Sequence, residues 1–167
     1  MKPDTVGMSE SPEKIAQQIA DGLLEAGLML ATAESCTGGW VAKVLTDIAG
    51  SSEWFDRGFV TYSNTAKQEM LGVREQTLSE QGAVSEAVVK EMVVGALASS
   101  GASLALSVSG IAGPGGGSLE KPVGTVWFAW QRTGGPVQAA CHHFSGDRDS
   151  VRRQAVIVAL KGVLALL

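Results

Sequence analysis

Ser35, Cys36 and Thr37 stand side by side in ATAESCTGGW, behind a short apolar run and ahead of two glycines. A hydroxyl or thiol placed there becomes a nucleophile once a neighbouring base takes its proton, and a lysine whose charge is made costly by burial is one such base. Lys67 in TYSNTAK supplies the amine, and Tyr62 in the same block supplies a phenol able to relay the proton or orient the pair. Ser35, Lys67 and Tyr62 thus form one candidate set for acyl chemistry. Each also has an ordinary structural reading: a capping hydroxyl, a solvated helix lysine and a strand residue covering the core. Cys36 competes with Ser35 as nucleophile, because a thiol near a helix start has a depressed pKa. A third stretch, SGIAGPGGGS, offers a backbone surface that a ligand can approach closely.

These stretches need a scaffold that brings them together, and the hydrophobic pattern describes one. Leu28 to Ala33 and Leu104 to Val108 are apolar runs of the sort that fill an interior strand, and Gly58 to Tyr62 alternates like a half-buried one. Helices are expected between them. One starts at Ser11-Pro12 and ends at Gly27; the next runs from about Thr37 to Ile48, with Trp40, Val41, Val44 and Leu45 on its buried face. A short helix carries Lys67, another spans Glu75 to Gln81, and a long one is capped by Ser85 and closed by Gly101. Val123 to Gln131 and Val137 to Phe144 are joined by Thr133-Gly134-Gly135, a β-hairpin connection, so part of the sheet is antiparallel. The last helix starts at Asp147. The expected class is α/β: a three-layer α/β/α sandwich around a mixed, mostly parallel sheet with a C-terminal hairpin. In such a sheet, loops at the carboxyl ends of parallel strands converge on a ligand crevice. Residues 1–11 read as a loosely ordered arm, and residues 12–167 as a single domain.

Composition closes off several functions. With 45% hydrophobic and 18% charged residues the balance is that of a globular domain, and 21 glycines favour tight packing. A net charge of −4 without a basic stripe argues against nucleic acid. No run is long enough to span a membrane and the N-terminus lacks the plan of a signal peptide, so a cytoplasmic protein is expected. Cys36 and Cys141 do not make a disulfide framework. His142 and His143 are neighbours on a strand and face opposite ways, so no metal site is expected. GPGGGS matches neither a P-loop nor a dinucleotide fingerprint. The last helix is apolar almost all round; deep packing on the sheet and a homo-oligomeric interface, a dimer being the favoured assembly, would each account for that. Arg148, Arg152 and Arg153 gather at its front, where an arginine facing the crevice would suit a phosphate.

Five blocks, TAESCTGGWVAKVLTDIAGSS, WFDRGFVTYSNTAK, GAVSE, SGIAGPGGGSLEKPVGTVWFA and FSGDRDSVRRQA, occur in one order from Ala31 to Ala155. In that order they resemble the CinA C-terminal domain family, and in particular its stand-alone bacterial members, without the N-terminal nucleotide-hydrolysing domain of longer relatives. The resemblance implies a three-layer α/β/α fold and metal-free, cofactor-free hydrolysis of nicotinamide mononucleotide to nicotinate mononucleotide and ammonia, in pyridine nucleotide salvage. It implies Ser35 as nucleophile, Lys67 as base and Tyr62 beside them. Backbone N–H groups at Thr37, Gly38 and Gly39, or between Gly110 and Gly113, are the oxyanion candidates. Ser145 and Arg148 are the phosphate candidates. Gly115 departs from the GPDGG form of some relatives. Two other classes stay open at this point: a pyridine-nucleotide-binding module without turnover, and an interaction protein whose last helix mediates assembly.

Overall fold

The computed structural model describes residues 10–167, so the greater part of the expected N-terminal arm lies outside the described residues. Five strands form one sheet in the order β2-β1-β3-β4-β5. They are β1 (Leu30–Glu34), β2 (Phe55–Val60), β3 (Leu104–Gly110), β4 (Thr125–Arg132) and β5 (Gln138–His143). β1 pairs in parallel with both β2 and β3, whereas β4 is antiparallel to β3 and to β5. Only β4 is therefore reversed, and the mixed, mostly parallel sheet expected from the sequence is the one observed. Six α-helices cover it: α1 (Pro12–Ala26), α2 (Trp40–Thr46), α3 (Asn64–Leu71), α4 (Glu75–Gln81), α5 (Glu86–Ala98) and α6 (Arg148–Leu164).

The two faces of the sheet carry different side chains, which decides how the helices lie. On one face Leu30, Leu104, Leu106, Val108, Phe128 and Trp130 pack against α1, α2 and α6. On the other, Ala31, Ala33, Ala105 and Ala129 leave room for α5 to come close, with α3 and α4 beside it. Strand alternation at a period of two produces both sets from the same strands. The apolar girth of α6 is accounted for within the chain, since Val151, Ala155 to Leu160 and Val163 are all buried and join the first of these cores.

Two boundaries differ from expectation and both matter for chemistry. α2 starts at Trp40 rather than Thr37, because Gly38 and Gly39 have φ of 60° and 97° and cannot continue a right-handed helix. The nucleophile candidates thus sit on a turn between strand and helix. β2 covers Phe55–Val60, beginning three residues and ending two residues earlier than the alternating pattern suggested, which leaves Thr61 and Tyr62 past its end. Smaller shifts affect β1, which ends at Glu34 instead of Ala33, and α5, which stops at Ala98 before Gly101.

Candidate active site

Glu34 and Ser35 are neighbours, and alternation sends them to opposite sides of the sheet. Glu34 turns toward α2, where its buried carboxylate accepts hydrogen bonds from the Thr37 hydroxyl (2.6 Å) and the N–H groups of Val41 (2.9 Å) and Ala42 (3.0 Å). Ser35 turns toward the α3 layer and meets Lys67 there. The backbone of Ser35 is held in register by its N–H, which donates to the Val108 carbonyl at 3.0 Å. On α3 the Ser63 hydroxyl caps the first turn through Ala66 N–H, and one turn of helix then carries Lys67 inward.

Lys67 is 1% exposed, and its Nζ donates to Ser35 Oγ and to the Thr61 carbonyl, each at 3.0 Å. Its two polar contacts are neutral oxygens, so no carboxylate in direct contact offsets the loss of hydration. Burial accordingly holds the Lys67 pKa below its ordinary value of 10.5. The same burial acts the other way on Cys36, whose thiol is pushed up to about 12, with the Glu34 charge adding to the rise. The adjacent thiol is protonated at neutral pH, while the serine hydroxyl has an amine in place to receive its proton.

Ser35 and Lys67 open into a cavity of about 210 Å³, whose wall also includes Cys36, Tyr62, Asn64, Ser109, Gly110 and Arg148. Arg148 bridges its mouth, donating from Nη1 to the Gly113 carbonyl (2.9 Å) and from Nη2 to the Tyr62 hydroxyl (3.2 Å). Tyr62 is 61% exposed, and this contact with Arg148 places its hydroxyl at the rim instead of on the Ser35–Lys67 axis. A larger hollow of about 540 Å³ lies over Trp127 and shares Val84 with the first cavity. Its one serine, Ser85, is committed to capping α5, so the contact between a serine hydroxyl and a lysine amine belongs to the smaller cavity.

The structure therefore brings Ser35, Lys67, Tyr62, Gly110 and Arg148 to one cavity, with Gly113 tied to it through Arg148. Thr37, Gly38 and Gly39 instead line a separate hollow of about 290 Å³ with Trp40, Lys43 and Arg152. The Gly38 N–H already donates to the Ser35 carbonyl (3.0 Å), and the Ile111 N–H to the Thr125 carbonyl (2.9 Å). Ser145 is exposed, and its carbonyl accepts from Gln154 Nε2 at 2.9 Å. Among the described residues, no group of three or more His, Cys, Asp or Glu side chains is placed to share a metal ion.

Three contributors escaped sequence reasoning. The Thr61 carbonyl is a backbone group and leaves no mark in a sequence. Ser109 reads in the sequence as the start of the glycine-rich stretch SGIAGPGGGS; it lies instead on β3, and its hydroxyl donates to the Ala83 carbonyl (2.9 Å) and fixes the cavity wall. Glu34 did carry a signal, an acid continuing an apolar run without a break, which marks a carboxylate that must be buried and satisfied.

The chain is similar to known proteins along nearly all of its length. A nicotinamide-nucleotide amidohydrolase PncC from Escherichia coli strain K12 is 61% identical over 148 residues, covering 89% of this chain and 90% of that protein. A protein of the same name from Pseudomonas putida is 51% identical over 152 residues, or 91% and 94% of the two chains. The crystal structure of the competence/damage inducible protein CihA from Agrobacterium tumefaciens superposes with a TM-score of 0.92 at 46% identity, covering 97% of this chain and 99% of that one. The profile of the CinA C-terminal domain matches residues 12–167. With the sheet order, the helix layers and the sequence blocks all in agreement, the chain belongs to the CinA C-terminal domain family.

Proposed function

We propose that this protein is an amidohydrolase that converts nicotinamide mononucleotide and water to nicotinate mononucleotide and ammonia. The observation that carries the reading is the buried 3.0 Å hydrogen bond from Lys67 Nζ to Ser35 Oγ inside a cavity open to small molecules. The names borne by its relatives supply the substrate.

In the proposed reaction neutral Lys67 takes the Ser35 hydroxyl proton as Oγ attacks the carboxamide carbon. The carbonyl oxygen becomes an oxyanion, and backbone N–H groups of the Gly110–Gly113 segment, other than the bonded one of Ile111, receive it. Lys67 then returns the proton to the departing nitrogen, the C–N bond breaks, and ammonia leaves an acyl-serine. A water, deprotonated by the same lysine, attacks the ester carbonyl; the C–Oγ bond breaks, Lys67 returns that proton to Ser35 Oγ, and the acid leaves as its carboxylate, its proton going to solvent. Arg148 at the mouth is the phosphate ligand of this scheme; the oxygens it now contacts are neutral, and a phosphate would exchange them for charge-assisted bonds. Tyr62, at the same rim, offers its exposed ring to the substrate and holds Arg148 until a phosphate takes its place. Ser145 completes the phosphate site only by moving toward it.

The test is ammonia release from nicotinamide mononucleotide by the wild type, Ser35→Ala, Cys36→Ala and Lys67→Met, with a chelator present throughout. Activity in the wild type and Cys36→Ala, with losses of about a thousandfold or more in the other two, is expected for a nucleophile and its base. Saturable binding without product would instead make the protein a nucleotide-binding module. Turnover surviving in Ser35→Ala would overturn the mechanism.

A further inference from the structure

The turn that carries Ser35 is poor in stabilising features of its own. Cys36, Thr37, Gly38 and Gly39 belong to neither β1 nor α2, two of the four have left-handed backbone, and α2 has no side-chain cap at Gly39. Such a segment is held by what surrounds it. Two buried or half-buried charged groups from outside the turn do so, one from each side.

From the strand side, Glu34 binds the Thr37 hydroxyl and two N–H groups at the start of α2, as described above. From the helix side, Arg152 on α6 donates Nε–H to the Cys36 carbonyl (3.0 Å) and an Nη2–H to the Thr37 carbonyl (3.2 Å). Its guanidinium lies 5.5 Å from the centre of the Trp40 ring. The planar fork of an arginine suits two successive carbonyls, whereas an ammonium offers only a point charge. In a trans peptide the carbonyl and the following N–H point opposite ways. Drawing the Cys36 oxygen toward Arg152 therefore turns the Thr37 N–H away from α6.

We propose that Arg152 is a positioning residue for the Ser35 nucleophile: with Glu34 it clamps the Cys36–Gly39 turn and fixes the orientation of the Cys36–Thr37 peptide. Arg152 is thus engaged on the protein's own backbone, while Arg148, the arginine nominated for the phosphate, lines the cavity that holds Ser35. The inference rests on the amidohydrolase reading for its catalytic consequence, but not for its structural content.

The experiment pairs kinetics with amide hydrogen exchange on the full chain, in wild type, Arg152→Ala, Arg152→Lys and Glu34→Gln. The expected result for Arg152→Ala is faster exchange confined to residues 35–41, with kcat down by about a hundredfold, the scale of a 1 Å misplacement of a reacting group, and KM unchanged. Arg152→Lys restores part of the protection and part of kcat; Glu34→Gln keeps the oxygen that accepts from Thr37 and loses less than Arg152→Ala. A raised KM at unchanged kcat in Arg152→Ala would overturn the proposal, since it would make Arg152 a substrate ligand. Unchanged exchange over residues 35–41 would overturn it also. If the wild type releases no ammonia, the amidohydrolase reading fails by itself, and the clamp is decided by the exchange data alone.

Discussion

Lys67 and Cys36 lie within one cavity wall, yet burial moves their proton affinities in opposite senses, because it disfavours the charged form of each. The proposed base works unprotonated. The pH profile of kcat/KM should therefore rise with pH through a single limb set by Lys67 below its ordinary 10.5, and Lys67→Arg, which cannot lose its proton, should be inactive at every pH. Stability follows from the same shifts. The folded Lys67 value is below the unfolded one, so between the two the unfolded chain binds more protons and stability rises with pH. For Cys36 the order is reversed: from its ordinary 9.0 up to about 12 the folded chain holds a proton that the unfolded chain has lost, and stability falls as pH rises. Urea unfolding at alkaline pH should show that fall in the wild type and a weaker one in Cys36→Ala. The serine and lysine were legible as candidates from their types and blocks. Their hydrogen bond was not, because it depends on a helix from one part of the chain arriving over a strand end from another.

At the scale of the element, the turn from β1 to α2 combines two requirements. The chain must reverse its helical sense for two residues, which Gly38 and Gly39 permit, and it must bring Trp40 back onto the core. An added methyl at Gly39 would stand 3.4 Å from Val60 Cγ2, an ordinary contact, so the cost of substitution there is conformational. Gly39→Ala should lower stability by about 1 kcal/mol, the penalty of left-handed backbone in an L-residue. It should lower kcat more than that stability loss alone explains, as read from thermal unfolding beside turnover. The glycines were visible in the sequence, and their backbone sense was not: a helical reading from Thr37 fitted the apolar spacing of the residues after them. What decided the matter was Glu34, whose carboxylate serves α2 as a remote cap and removes the need for a capping side chain at the helix itself.

At the scale of the whole molecule, α6 joins the two ends of the architecture, lying on the sheet along its length and presenting Arg148 and Arg152 at its first turns. Trp130 on β4 donates its indole N–H to the Ala159 carbonyl at 2.9 Å, and a methyl added at Gly162 would overlap that indole. Gly162→Ala should therefore push α6 off the sheet and cost about 2 kcal/mol or more, the range of overpacking in a dense core. Because the same helix carries both arginines, the variant should also lose turnover, and circular dichroism melts beside ammonia release will show whether the two losses move together. No described helix is long and apolar enough to cross a membrane. The apolar face of α6 is buried by its own chain, and ultracentrifugation of the wild type measures directly whether a dimer forms.

The class of the fold was legible in the residues alone, because apolar runs with periods of two and of 3.6 state which segments are strands and helices and which faces are buried. So were the candidate nucleophile and base, since hydroxyl and amine chemistry belongs to residue type, and the block order that marks the family. Which of the nominated groups meet is settled only when the chain folds. Ser35 and Lys67 touch because strand alternation turns Ser35 toward the α3 layer; Tyr62 moves to the rim because β2 ends at Val60; Arg152 grips a backbone turn because α6 crosses behind it. These are contacts between segments far apart in the chain, and their geometry is fixed only when the two cores close on opposite faces of one sheet.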